Sequence, residues 1–307
     1  MTGASDLVDR LAVKVIGRRR EVEIVVAALE VGRHVLLEGP PGTGKSTLLR
    51  AVADGLGIGF EFVEGNAELT PARLVGHFDP ALVLEVGYKP EIFVDGALAT
   101  ALREGRLLYI EELNRVPEET LNVLITVMSE AELHVPRLGR IPAAPGFRLV
   151  AAMNPFDAVG TARISSAVYD RTCRLLIDYQ TAADEVAIVT RAAGEAAADA
   201  AWIAKIVDVV RRTRVHPELR IGSSVRGAID AAMVVASLAT LRGQPVSDLI
   251  TGLDAALVSL SGRVKVREGS GRTAEEIVRE LWAEVFAKGP EHSPGKQNAP
   301  SSTAGPA

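Results

Sequence analysis

A single cysteine, Cys173, in 307 residues excludes an intramolecular disulfide and any zinc site built on several cysteines, and it suits a reducing cytosol. No uninterrupted apolar run approaches the ~20 residues of a membrane-spanning helix, so no span is expected. The N-terminus carries Asp6 and Asp9 without an apolar core, which is not the pattern of a signal peptide. A cytoplasmic location is the expectation. Positive charge is short as well: 34 Lys and Arg against 39 Asp and Glu give a formal charge of −5, no support for a nucleic-acid binder. The five histidines, at 34, 77, 134, 216 and 292, are scattered and read as surface or packing residues rather than metal ligands. What remains is 48% hydrophobic and 24% charged, the balance of a globular chain long enough for two domains.

Against that background one stretch stands out. Gly39, Pro40, Pro41, Gly42, Thr43, Gly44, Lys45, Ser46 and Thr47 fit G-x-x-x-x-G-K-[ST]. Residues 34–38 read as a buried strand running into it, and 46–54 as a helix leaving it, with Gly55 and Gly57 as stop signals. Glycines let successive backbone N–H groups curl inward onto phosphate oxygens, and the helix N-terminus adds partial positive charge. Lys45 would reach the β- and γ-phosphates, and Ser46 would place its hydroxyl on Mg2+. The pattern predicts a nucleoside-triphosphate site.

The rest of the chain alternates around it. Residues 20–31 form an amphipathic helix, preceded by Val15, Ile16 and Gly17, a short apolar turn that serves equally as a nucleobase contact or as packing. Strands are expected at 60–63, 107–110 and 147–152, with helices at 97–103 and 118–130. Residues 66–85 break the alternation as an insertion, and 133–135 with 140–142 read as a hairpin. Strands alternating with helices predict a three-layer α/β domain with a parallel sheet over 1–181. From 182 to 288 the pattern is purely helical, an all-α second domain. Residues 289–307, rich in Pro, Ser, Gly and Asn, read as a disordered tail.

Two acids, Glu111 and Glu112, follow the continuous apolar run 107–110 at the sheet edge where ligands bind in open α/β folds. The first would anchor Mg2+ and the second would orient or deprotonate the attacking water. Asn154 follows the next buried strand; its amide would hold that water or the γ-phosphate, or it makes an Asx turn before Pro155.

In order and spacing these stations resemble the AAA+ ATPases, and within them the MoxR branch, over roughly residues 15–260. The resemblance rests on Gly-Pro-Pro-Gly-Thr-Gly-Lys-Ser (39–46), Glu-Glu-Leu-Asn-Arg-Val-Pro (111–117), Ala-Ala-Met-Asn-Pro (151–155), Tyr-Asp-Arg (169–171) and Ser-Val-Arg-Gly-Ala (224–228). Phe-Asp-Pro (78–80), Tyr-Ile-Glu-Glu (109–112), Val-Pro-Arg-Leu-Gly (135–139) and Phe-Asp-Ala-Val-Gly-Thr-Ala-Arg (156–163) look nearer to one MoxR-like type. That type is associated with maturation of molybdenum-containing carbon monoxide dehydrogenase.

The resemblance implies that Val15, Ile16 and Gly17 flank adenine and that Asn154 is sensor 1. It implies that Arg171 is the finger reaching a neighbouring subunit's γ-phosphate, with Arg163 and Arg174 as competitors for that role. Arg226 matches sensor 2, on a lid helix capped by Ser223 or Ser224. Residues 66–80 look like the helix-2 insert and 133–142 like the pre-sensor hairpin. A homo-oligomeric ring, most often a hexamer, is implied, with a von Willebrand factor A-domain protein as partner and a molybdenum hydroxylase as a conceivable client.

Two positions depart from the family pattern: Glu111 stands where Asp is usual, and Val225 replaces a proline before Arg226. Two other readings stay open: a DNA-dependent motor, and a nucleotide-gated binding module in which Glu111 leaves hydrolysis negligible.

Overall fold

The computed structural model describes residues 2–155, 164–194 and 199–287. The 156–163 segment, with Arg163, and the expected tail 289–307 lie outside the described residues. Two compact units are formed, Met1–Ile188 and Val189–Ala307.

The first unit is built on five parallel strands: β1 (His34–Glu38), β2 (Phe60–Glu64), β5 (Leu107–Glu111), β8 (Arg148–Met153) and β9 (Thr172–Leu176), in the order β2-β5-β8-β1-β9. Two antiparallel pairs stand outside that sheet: β3 (Gly76–Phe78) with β4 (Phe93–Asp95), and β6 (Glu132–Val135) with β7 (Gly139–Pro142). The central strands are buried on both faces, which is why they read as unbroken apolar runs. Successive side chains divide between the faces. Val35, Leu37, Leu107, Tyr109, Val150 and Ala152 pack with α1 (Thr2–Lys14), α2 (Arg19–Glu30) and α3 (Lys45–Leu56). Leu36, Leu108, Ile110, Leu149 and Ala151 face α4 (Pro71–Val75), α6 (Ala97–Glu104) and α7 (Glu118–Glu130). The three-layer α/β expectation is met.

Several local details differ from expectation. Helix α1 was not expected, because charged residues surround its buried Leu7, Val8 and Leu11. Gly55 does not stop α3: it lies inside the helix, where an added Cβ would sit 2.8 Å from the Leu7 side chain. The helix ends instead at Gly57, in the left-handed conformation (φ 67°) that glycine adopts without a Cβ clash. Strand β9 reads Thr-Cys-Arg-Leu-Leu, an edge strand with exposed positions and no apolar run. Within the insertion, α5 (Pro80–Val86) is capped by Asp79, whose carboxylate accepts from the Ala81 N–H at 2.9 Å. The short helix α8 (Ser166–Tyr169) leads into β9.

Helix α9 (Ala182–Ala193) runs across the division between the units. The second unit contains α10 (Ala200–Val215), α11 (Val225–Arg242), α12 (Leu249–Leu260) and α13 (Ala274–Trp282). Among its described residues the regular structure is helical except for one small addition, β10 (Leu219–Ile221) paired antiparallel with β11 (Lys265–Val266). Those two strands are too short to register as periodicity. Trp282 stacks on Phe286 with ring centroids 3.6 Å apart, and Trp202 packs 6.3 Å from Trp282. Among the described residues no helix is long and apolar enough to cross a membrane.

Candidate nucleotide site

The phosphate loop hangs between β1 and α3 and is tied on three sides. The Gly39 N–H donates to the Met153 carbonyl at the end of β8 (3.1 Å), and the Ile177 N–H donates to the Glu38 carbonyl (2.7 Å). Gly39 passes so close to the 177 peptide that a Cβ there would lie 1.9 Å from the Ile177 carbonyl oxygen. The third tie is Arg18, only 3% exposed, whose Nη2 donates to the carbonyls of Thr43 (3.0 Å) and Asp178. Its Nη1 donates to Glu21 (3.1 Å), so the buried charge is paired.

Arg18 escaped the sequence reading. It follows the expected adenine-side turn directly, and only the fold reveals that it grips the loop. Of that turn, Val15 is buried and bonded through its N–H to the Leu11 carbonyl, while Gly17 holds φ 68°.

Inside the loop the Lys45 ammonium donates to the carbonyls of Gly39 (3.0 Å) and Pro40 (2.9 Å). Thr43 Oγ1 closes the curve onto the Pro40 carbonyl (3.0 Å). Pro41 and Thr47 are exposed, and Gly42 and Gly44 adopt positive φ. The twelve-residue α3 begins at Lys45, so the partial positive charge of its N-terminus meets the curve of the loop. A cationic ammonium, a helix N-terminus and positive-φ glycines suit a polyphosphate.

Beside the loop, Ser46 Oγ lies 3.0 and 3.1 Å from the two Glu111 carboxylate oxygens and 3.3 Å from the Tyr109 hydroxyl. Tyr109 is fully buried, and desolvation pushes its phenol pKa up, so the ring stays neutral beside the carboxylate. The three groups offer only oxygen, the donor set that a hard cation such as Mg2+ takes. The extra methylene of Glu111 does not keep it from Ser46.

Glu112 is one of three described non-glycine residues with positive φ (55°). Such a residue costs about 1–3 kcal/mol of local strain. The surrounding bonds hold it: Gly65 N–H to the Glu111 carbonyl (2.7 Å) and Arg115 N–H to the Glu112 carbonyl (2.8 Å). Glu112 Oε2 is buried and accepts no hydrogen bond among the described residues; Arg115 Nε stands 3.3 Å away as its counter-charge. That carboxylate, next to Glu111 and paired with Arg115, is placed to orient a water and take a hydrogen from it.

Asn154 follows β8 and is half-buried, and its carbonyl accepts from Asn114 Nδ2 (3.3 Å). Asn114, 5% exposed, is a second residue whose place the sequence did not disclose. Lys45, Ser46, Glu111, Glu112 and Asn154 thus gather at the carboxyl ends of β1, β5 and β8.

The arginines separate. Arg171 precedes β9, whose Thr172 pairs with His34 at the amino end of β1. A five-residue strand spans about 15 Å, so Arg171 lies at the far end of the sheet from its own phosphate loop. There it is half-buried, with Nε donating to Ser129 Oγ (2.5 Å) and Nη1 to the Ala167 carbonyl (2.9 Å). It borders a cavity of 380 Å3 lined by Gly32, Arg33, His34 and Met128 as well as residues 170–173. Arg174 instead pairs with Glu38 beneath the loop, Nε to Oε2 at 2.7 Å.

In the second unit, Arg226 is exposed on the first turn of α11. Ser224 occupies the cap position, but neither serine caps the helix through its side chain: Ser223 Oγ donates to the Ser224 carbonyl at 3.2 Å. With Val225 in place of proline, the helix starts without that fixed φ.

Residues 34–172 match the family model of the AAA domain of the dynein-related subfamily. The chain is 32% identical over 269 residues to the gas vesicle ATPase GvpN of Ancylobacter aquaticus, covering 82% of this chain and 72% of that protein. Among solved structures, a Cytophaga hutchinsonii protein crystallised as a candidate ATPase aligns over 92% of this chain and 94% of its own (TM-score 0.51, 17% identity). A point variant of Thermotoga maritima RuvB aligns over 78% of this chain and 68% of its own (TM-score 0.55, 22% identity). At those identities the two structures speak for the fold alone.

Proposed function

The chain belongs to the AAA+ ATPases, and from that premise we propose that it is a Mg2+-dependent, ring-forming ATPase of the MoxR type that remodels or matures a client protein. The observation that carries the reading is the Ser46–Glu111 contact at 3.0 Å beside the Glu112 carboxylate, whose Oε2 accepts no hydrogen bond among the described residues and pairs with Arg115 at 3.3 Å. Lys45 leaves the Gly39 and Pro40 carbonyls to bind the phosphates, while the loop N–H groups and the start of α3 hold the remaining charge. Ser46 and Glu111 would hold Mg2+, which when bound neutralises charge on the β- and γ-phosphates. Glu112 orients the attacking water and takes its proton; Asn154 holds that water or the γ-phosphate. Arg226 stabilises transition-state charge within the chain and Arg171 does so in the neighbouring subunit. The end of the sheet that carries Arg171 supports the second assignment, since its own site lies out of reach.

A von Willebrand factor A-domain protein is the proposed partner, and a molybdenum hydroxylase one proposed client. A second reading of the client follows from the 32% identity to a gas vesicle ATPase: a gas-vesicle protein in place of the metalloenzyme. Genes for an A-domain protein and a molybdenum hydroxylase beside this one would favour the first, and gas-vesicle genes the second. A DNA motor is disfavoured by the −5 charge.

The direct test is Glu112→Gln, assayed for turnover and for nucleotide affinity. Turnover should fall at least ~100-fold, the scale of a lost catalytic base, with ATP still bound. Turnover negligible in the wild type and unchanged in the variant would instead identify a binding module; substantial turnover that the variant keeps would remove Glu112 from the catalytic step.

A further inference from the structure

Glu38 is the residue on which the two ends of the first unit meet. It is 1% exposed, closes β1, and directly precedes Gly39 of the phosphate loop. A carboxylate buried there would repel a polyphosphate and carry a large desolvation cost unless paired. Both of its oxygens are engaged by the short stretch that contains Arg171. Tyr169 donates its hydroxyl to Oε1 at 2.9 Å, and Arg174 donates Nε to Oε2 at 2.7 Å. Arg171 lies between these two anchors, two residues after one and three before the other.

The pairing is lopsided. Arg174 and Tyr169 are exposed, at 49% (side chain) and 38%, so neither needs Glu38 for its own solvation, whereas Glu38 depends on them. The backbone repeats the link, for the Glu38 carbonyl accepts from the Ile177 N–H (2.7 Å) just past β9. The next carbonyl, of Gly39, accepts from Lys45.

We propose that Glu38 is a positioning residue: it fastens the 169–174 stretch to the chain's own phosphate loop and so sets how Arg171 is presented to the neighbouring subunit. The inference rests on the reading of Arg171 as a residue acting in trans. Arg174 then has a defined part as the counter-charge that steadies Arg171's stretch, rather than as a second finger.

Mixed rings test it. One subunit gives the arginine: it carries Lys45→Ala, so its own site is dead, and keeps Arg171. The other receives it: it carries Arg171→Ala and an intact site. Turnover then reports only the arginine delivered by the giving subunit. Adding Glu38→Gln to the giving subunit should lower kcat of the mixture by about tenfold with KM for ATP unchanged, since the receiving site is untouched. Tyr169→Phe, which removes only the hydroxyl that donates to Glu38, should lower it about threefold.

If Glu38 serves only its own loop, both variants turn over like the control mixture, and the proposal is overturned. If the control mixture is no more active than either parent, the shared-site reading itself fails, and that outcome is seen before Glu38 is altered.

Discussion

The two ends of the central sheet are built to different standards of completeness. At the carboxyl end the groups that suit a nucleotide arrive with their supports: Arg18 and Met153 fix the loop, Tyr109 steadies Ser46, and backbone bonds hold Glu112 in a strained conformation. At the amino end Arg171 has two hydrogen bonds and a 380 Å3 cavity beside it. None of the phosphate-binding groups of its own chain lies at that end. One end is preorganised within a single chain; on the proposed reading the other is completed by a neighbour. On that reading hydrolysis would be coupled to assembly, because the charge needed for the transition state would be split between subunits.

The sharpest way to break the contrast is at the carboxyl end. Gly39→Ala places a Cβ against the Ile177 carbonyl, a backbone atom that cannot swing aside. ATP affinity should fall by about 100-fold or more, since a loop shifted by an ångström loses its N–H geometry. Titration with a fluorescent ATP analogue reads this, and retention of normal affinity would show that the loop is not held as described.

At the amino end the expected effect is on rate alone. Arg171→Ala should leave nucleotide affinity within about twofold and lower turnover by roughly 100-fold. A loss of affinity in the isolated subunit would mean that Arg171 serves its own site, and the two ends would no longer be distinct.

The smallest effect comes from His34, which pairs in the sheet with Thr172, the residue after Arg171. Burial first, then the charges of Arg148 and Arg33, lower its pKa from 6.5 to about 4. Its Nδ1 accepts from the Leu149 N–H at 2.9 Å, which the neutral ring requires. As pH falls below 6.5 the unfolded chain binds a proton that the folded chain refuses, so stability is full above 6.5 and is lost toward 4. At pH 5 the loss is about 2 kcal/mol relative to pH 7.5. Urea midpoints of wild type and His34→Asn at the two pH values measure it; an equal pH dependence in both would exclude His34 as the cause.

What could be read from the chain follows the range of each interaction. The loop at 39–47, strand β5 and its acids, and the long helices announce themselves through neighbours in sequence. Glycine spacing and apolar periodicity are local, and so is the left-handed stop at Gly57. Arg18, Asn114 and the Glu38–Arg174 pair could not be read that way. Each looks like an ordinary polar residue until partners 25, 40 and 136 positions away are brought beside it. Strand β9 was silent for a related reason: an edge strand has one side to satisfy, so Thr, Cys and Arg are tolerated where a central strand would need Val or Leu. Gly55 shows the opposite error, a glycine that resembles a helix stop and is there for the close approach of Leu7.

The claim that one catalytic site is shared between subunits is tested most directly by mixing two inactive proteins, Glu112→Gln and Arg171→Ala, with Mg2+ and ATP. Neither alone should turn over appreciably. In an equimolar ring about one interface in four joins an intact Glu112 to an intact Arg171, so the mixture should regain about a quarter of wild-type activity. A mixture as inactive as its parents, in rings shown by mass to contain both, would contradict it.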